Sequence, residues 1–251
     1  MNTSLPGNTN AVSDAIVPEQ QIRRGRMAVR LDAVAVDASG DARIKVPKKQ
    51  RNSQKRGDDV RERVVQAALE CFGAFGFEGT STRAVADRAG VSHTLVLYHF
   101  GSKEDLWTAT MANALDGYIQ SVAENLDNKE GRPAADVLRR FIEQFVRLSA
   151  QFPQIHRIMT MEGNQNTTRL NWLIDNYLRD HFCRVRDIIK VGQSDGAVRD
   201  CDASRLYYYI IGGGGTLFTL STEYLQLTGR NVFSEAEIFR NIAFLYDTVF
   251  I

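Results

Sequence analysis

The sequence predicts an all-α protein: an N-terminal three-helix unit containing a helix-turn-helix, followed by a larger helical domain. Three observations carry this. Between residues 58 and 250, apolar side chains recur three and four positions apart almost throughout. Breakers fall between those stretches, at Gly76, Gly90, Gly131 with Pro133, Pro153, Gly163, Gly196 and Gly229. Alternating strand-like runs are scarce, and no repeat of fixed period is visible.

Taken in order, residues 1–57 differ from the rest. The first forty are polar and small with few aromatics, and are expected to be disordered. Arg43, Lys45, Lys48, Lys49, Arg51, Lys55 and Arg56 follow within residues 43–56, with no acid among them. Such a basic arm is either a solvated tail or a segment that tracks phosphates or a minor groove. The first helix is expected over 58–76. Val60, Val64, Ala67, Ala68, Cys71, Phe72 and Phe75 lie at helical spacing, Asp58 and Asp59 suit its positive end, and Gly76 suits its stop. Two short helices follow, about 81–89 with Thr80 or Ser81 as cap, and about 92–99 after Gly90. Longer patterns cover 102–127, 133–151, 168–194, 202–228 and 234–250, with a shorter one at 153–161.

Composition bounds the function. Hydrophobic residues make up 43% and charged residues 24%, ordinary for a globular protein, and the net charge is only +1. Any surface for nucleic acid therefore has to be built from local charge. Cys71, Cys183 and Cys201 form no CxxC pair, which suits a reducing compartment. No apolar run approaches the roughly 18–20 residues that span a bilayer, and the N-terminus does not read as a secretory signal. A cytoplasmic location without membrane contact is the expectation.

The stretch 78–107 reads EGTSTRAVADRAGVSHTLVLYHFGSKEDLW. Ala89-Gly90-Val91 makes a tight turn between two helices too short to stand alone. Val85, Ala86 and Ala89 face Val91 and Val96, and the pair needs Phe72, Phe75 and Phe77 behind it. That is helix-turn-helix geometry, in which the second helix enters a major groove. In detail the segment resembles the DNA-binding domain of the TetR family of bacterial repressors, over about residues 58–106, most specifically in AGVS…LYHFGSKEDL. The resemblance implies a DNA-binding domain over 58–101 and a ligand-binding and dimerising domain over 102–251. It implies that Ser81, Thr82 and Arg83 contact phosphates and sometimes a base. Ser92, His93 and Thr94 would open the recognition helix into the groove. Tyr98 would donate its hydroxyl to a phosphate, and Lys103 would hold one together with the N-terminus of the fourth helix. His99 joins this set, with a packed, hydrogen-bonded role as its stronger reading. The segment departs from the family pattern at Thr94-Leu95-Val96-Leu97, where polar base-readers are fewer. Leu97 is placed against a thymine methyl.

Residues 107–251 show no catalytic constellation and no metal-ligand spacing, since His181 and Cys183 fall on different faces of a helix. No enzyme, cofactor or metal is expected. The run Gly212–Gly215 lies inside an apolar helical pattern, so a phosphate loop fails on context. Each such glycine costs about 1 kcal/mol in a helix, which calls for a cause: close approach of another helix, preferred here, or space for a ligand beside the backbone. The resemblance implies that 202–228 and 234–250 form a four-helix bundle with a second subunit. A ligand is expected between the middle helices, and Trp107, Met111, Phe145, Met159, Glu162, Arg169, Trp172, Tyr177 and Phe218 are its candidate contacts. The function expected is a homodimeric repressor, released from a palindromic operator by a small apolar or aromatic molecule. The alternative is a DNA-bound adaptor that recruits a protein without a small-molecule effector; a dry C-terminal core would favour it.

Overall fold

The computed structural model describes residues 48–126 and 131–251, the side chains of 48–57 and 120–125 excepted. Residues 1–47 of the basic arm lie outside the described residues. The first helix, α1, spans Lys48–Gly79 and so begins ten residues before Asp58. Lys, Gln and Arg are good helix formers, and the stretch from Lys48 to Arg56 holds neither Gly nor Pro. Gly76 does not end α1 but kinks it, with φ of 69° and ψ of 179°, so the last turn to Gly79 leaves the axis.

Next come α2 (Thr82–Ala89) and α3 (His93–Phe100). Gly90, in the left-handed conformation at φ 65°, closes α2. The chain continues with α4 (Lys103–Leu126), α5 (Ala134–Gln151) and α6 (Pro153–Gly163). The expected single helix over 168–194 is three pieces: α7 (Thr168–Leu173), a π-helical turn (Ile174–Leu178) and α8 (Arg179–Ser194). That over 202–228 breaks at Leu220 into α9 (Ala203–Thr219) and α10 (Ser221–Thr228), and α11 spans Glu235–Val249. Apolar periodicity runs unbroken through both joints, so it could not show them. Among the described residues, β pairing is limited to a bridge between Val198 and Phe250.

Two apolar cores result. One joins Phe72, Phe77, Val85, Val96 and Phe100 to Leu106, Trp107 and Met111 of α4, and takes in Ile158 of α6 and Leu173 of α7. The other is built by α5 with α8, α9 and α11. The first core therefore does not stop at residue 101. Two glycines mark where α6 lies against α1: a Cβ at Gly73 would meet Gln154 Cβ at 2.8 Å, and one at Gly76 the Met161 sulfur at 3.4 Å.

The glycine run stays inside α9 without breaking it. A Cβ at Gly214 would sit 2.8 Å from the Phe145 ring, one at Gly215 would collide with the His156 ring, and one at Gly213 would sit 3.0 Å from Leu245. Gly212 faces open space. The close approach is thus made by α5, α6 and α11 of the same chain. The apolar residues of α9 and α11 divide likewise: Leu206, Ile238, Ile242, Leu245 and Val249 are internal core, whereas Tyr208, Tyr209, Phe239 and Phe244 are exposed.

Candidate functional site

The helix-turn-helix is assembled by local bonds. Ser81 caps α2 by accepting from the Ala84 N–H at 3.1 Å, and Ser92 caps α3 by accepting from the Leu95 N–H at 3.3 Å. The Thr82 hydroxyl and His93 Nε2 lie 2.9 Å apart, tying the start of α2 to the start of α3. Val96 and Phe100 face inward, and Arg88 of α2 pairs with Glu70 of α1. The opposite face of α3 is bare. Thr94, Leu97 and Tyr98 stand at i, i+3 and i+4, all exposed, Leu97 at 40% and Tyr98 at 82%. Arg83, on α2, is exposed as well. His99 is half-buried, its ring edge-on to Tyr98 with centroids 5.3 Å apart.

Lys103 opens α4 and its ammonium lies 4.3 Å over the Phe77 ring and 3.5 Å from the Glu78 carbonyl. Ser102 caps that helix, accepting from the Asp105 N–H at 3.0 Å. Glu104 and Asp105 follow in the first turn and oppose an anion there. The Phe77 ring also carries the Arg169 guanidinium, 3.7 Å from its centroid. Arg169 also donates to Glu162 at 3.1 Å, and Glu162, buried on α6, accepts from the Thr167 hydroxyl at 3.2 Å.

A cavity of about 700 Å³, counting its open mouth, lies between α4, α5, α6, the π turn, α8 and α9. Its walls are mostly apolar; the polar groups are those of Tyr118, Ser149, His156, Tyr177, His181 and Tyr207. The π turn brings Tyr177 and Leu178 to the wall, with the Tyr177 hydroxyl donating to Asp116 at 2.8 Å. Burial and that carboxylate push the Tyr177 phenol up to about 12. Burial drives His181 down to about 4, lowers His156, and raises Tyr118 and Tyr207. At neutral pH these rings are uncharged. Among the described residues, no group of three or more His, Cys, Asp or Glu side chains is gathered as metal ligands would be, and no helix is long and apolar enough to cross a membrane.

A profile described as bacterial regulatory proteins, tetR family, matches residues 64–110, and one described as tetracyclin repressor-like, C-terminal domain, matches 135–249. The HTH-type transcriptional regulatory protein RaaS of Mycobacterium tuberculosis is 31% identical over 164 residues, covering 63% of this chain and 70% of that protein. The chain belongs to the TetR family. The HTH-type transcriptional regulator RutR of Escherichia coli is 34% identical over 99 residues, which is 39% of this chain and 45% of RutR, so the chain spans less than half of that relative. Among solved structures, the hemolysin II transcriptional regulator HlyIIR aligns over 76% of this chain and 99% of its own, with a TM-score of 0.57 at 22% identity. AibR, solved with isovaleryl coenzyme A and operator DNA, aligns over 75% and 99%, with a TM-score of 0.62 at 16% identity. At these identities the two structures speak for the fold.

Against this TetR fold, the candidate residues fall into groups. Ser81, Thr82, Arg83, Ser92, His93, Thr94, Leu97, Tyr98, His99 and Lys103 gather on α2, α3 and the start of α4. Within that group Ser81 and Ser92 are engaged as caps and His93 with Thr82. Of the ligand candidates, Phe145, Met159 and Tyr177 line the cavity. Trp107, Met111, Glu162, Arg169, Trp172 and Phe218 do not. Trp107 and Met111 are fully buried in the first core, and Trp172 packs edge-on to Trp107 at 5.9 Å. Phe218 is buried against Phe233, and Glu162 and Arg169 pair with one another. Bulk and aromaticity select core and cavity residues alike, so composition could not separate them. Tyr118, Ser149, His156, His181 and Tyr207 line the cavity without being among those candidates. Their signal was available: polar groups inside long apolar helices need a partner or a cavity.

Proposed function

We propose that this TetR-family protein is a transcriptional regulator that binds a near-palindromic DNA operator as a homodimer, and that a small molecule in the cavity between α4 and α9 weakens that binding. The observation that carries the reading is the bare face of α3. A helix only eight residues long, held by caps and by Val96 and Phe100, presents Thr94, Leu97 and Tyr98 outward, with Arg83 exposed on α2 and Lys103 at the start of α4. Such a helix fits a major groove, with Tyr98 and Lys103 on phosphates and Leu97 and Thr94 over base edges. Pairing through the exposed Tyr208, Tyr209, Phe239 and Phe244 supplies the second reading helix, at half-sites about 34–36 Å apart.

Coupling follows from shared walls. The helix α6 carries Ile155, His156 and Met159 into the cavity, touches α1 at Gly73, and holds Glu162 against Arg169, whose guanidinium stacks on Phe77. Phe77 in turn supports Lys103. A ligand that prefers one setting of α6 biases the placement of α1 and α4, with a coupling of about 1–3 kcal/mol. A dry C-terminal core would have favoured an adaptor; the cavity weighs against it.

Selection of genomic fragments on purified protein tests the reading. Enrichment of a near-symmetric site is the expected result. Enrichment with no sequence preference, or a half-site bound by monomer alone, overturns it.

A further inference from the structure

We propose that the cavity takes an uncharged, largely apolar molecule whose hydrogen-bond acceptor, of the carbonyl type, meets the Nε2–H of His181. This rests on the effector reading above and names the chemical class of the effector.

The charge argument comes from the walls. Among the described residues none of those lining the cavity is Asp, Glu, Lys or Arg. An ion brought against such walls loses its hydration and gains no counter-charge. A carboxylate or an ammonium is therefore the wrong occupant, while apolar length is welcome against Leu115, Ile119, Leu148, Phe152 and Ile211.

The acceptor argument comes from His181. The residue is only 7% exposed, and its Nε2 is buried, with less than 1 Å² accessible, and has no hydrogen-bond partner in the chain, so an acceptor reaches it when a neighbouring side chain of the cavity wall moves aside. A buried orphan of this kind costs about as much as a lost hydrogen bond, so a partner is called for. Among the described residues two other buried side-chain nitrogens share that condition, Trp107 Nε1 and Asn241 Nδ2, but neither belongs to the cavity wall. The proton's position follows from the other ring nitrogen. Nδ1 stands 3.3 Å from the Tyr207 hydroxyl. Burial keeps that phenol protonated, and we assign it as the donor to Nδ1. In a neutral imidazole the remaining proton then sits on Nε2, which makes it a donor. The ring is held in place by Phe141 and Tyr207, with centroids 5.5 and 6.0 Å away, so the donor is fixed before a ligand arrives.

A matched set tests this: 2-nonanone, sodium nonanoate and nonylamine hydrochloride, titrated calorimetrically into the full chain at pH 7.5. The ketone is expected to bind at least tenfold more tightly than either ion. His181→Phe should weaken the ketone by roughly tenfold, and His181→Gln, which keeps an N–H donor, should recover part of that loss. Tyr207→Phe should have a smaller effect, since it frees the imidazole to switch tautomer. Nonanoate binding as tightly as the ketone, no ketone binding to the parent protein, or an unchanged ketone affinity in a cooperatively melting His181→Phe variant each overturns the proposal. Operator affinity measured in the same samples separates the two readings. Ketone binding that leaves DNA affinity unchanged overturns the regulatory role and leaves the ligand class standing. A DNA response to nonanoate but not to the ketone does the reverse.

Discussion

Adjacent glycines in α9 should respond to alanine with opposite signs. Every helical Gly→Ala change gains about 1 kcal/mol from backbone entropy and propensity. At Gly212 nothing lies within 4 Å of the new Cβ, so the gain stands alone and Gly212→Ala should stabilise by about 1 kcal/mol. At Gly214 the Cβ would sit 2.8 Å from two Phe145 ring atoms and 3.3 Å from Val146. Overpacking of this kind costs about 1–3 kcal/mol, which offsets the gain and leaves a net loss of up to about 2 kcal/mol. At Gly215 the Cβ would overlap the His156 ring itself, so the ring must turn or α6 must move. The loss there should be at least as large as at Gly214. Phe145 and His156 both line the cavity, so these two variants should also lose ligand affinity. Urea unfolding followed by the fluorescence of Trp107 and Trp172, both within the folded part, reads the stabilities. A change of 1 kcal/mol corresponds to about 2–4 °C in Tm for a chain of this size. Equal stability of the Gly212, Gly214 and Gly215 variants would refute the close-approach account of the glycine run.

Three further outcomes follow from the same contacts. Lys103→Gln should weaken operator binding almost uniformly across sequences and lower the salt slope by about 1 per protomer, as read by binding titrations at several salt concentrations; an unchanged slope removes Lys103 from the phosphate contacts. Glu162→Gln should cost about 2 kcal/mol of stability, because it leaves the largely buried Arg169 guanidinium without its carboxylate; a denaturation midpoint equal to that of the parent would show the pair to be idle. Acid should destabilise the fold in the window where His181 is charged only when unfolded. Its folded value near 4 lies below the usual 6.5, so the unfolded state binds the extra proton, and stability falls as pH drops from about 6.5 toward 4, by up to about 3 kcal/mol. The Tyr118 and Tyr207 phenols and the Asp180 carboxylate are the ionisable neighbours, and only Asp180 favours the charged ring. In His181→Phe that slope should flatten; an identical pH profile would assign it elsewhere.

The helix-turn-helix was readable from the sequence because its determinants are local. Ser81 and Ser92 cap the helices that follow them, Gly90 takes the left-handed turn that only glycine adopts freely, and Val85, Ala86 and Val96 lie at spacings that put them on facing sides. Each depends on residues at most a few positions away. The exposed i, i+3, i+4 row of α3 is the complement of that buried side. The start of α1 at Lys48 is not legible in the sequence, because a run of Lys, Arg and Gln reads equally well as a solvated tail or as a helix.

The C-terminal domain was readable only as helices. Its breaks at Ile174 and Leu220 sit inside continuous apolar patterns, so periodicity passes over them. Which face of α9 is core and which is exposed depends on where α5 and α11 lie, as the different surroundings of Gly212 and Gly214 show. Trp107 and Phe145 are both large, aromatic and buried, yet one closes the first core and the other walls the cavity. In the sequence His181 has no metal partner to mark it; in the fold α9 brings the Tyr207 hydroxyl to one of its ring nitrogens and leaves the other without a partner. Caps, turns and amphipathic faces are interactions between near neighbours in the chain and are written there. A cavity is a property of the distances between helices, and those distances are set by long-range packing that no single helix encodes.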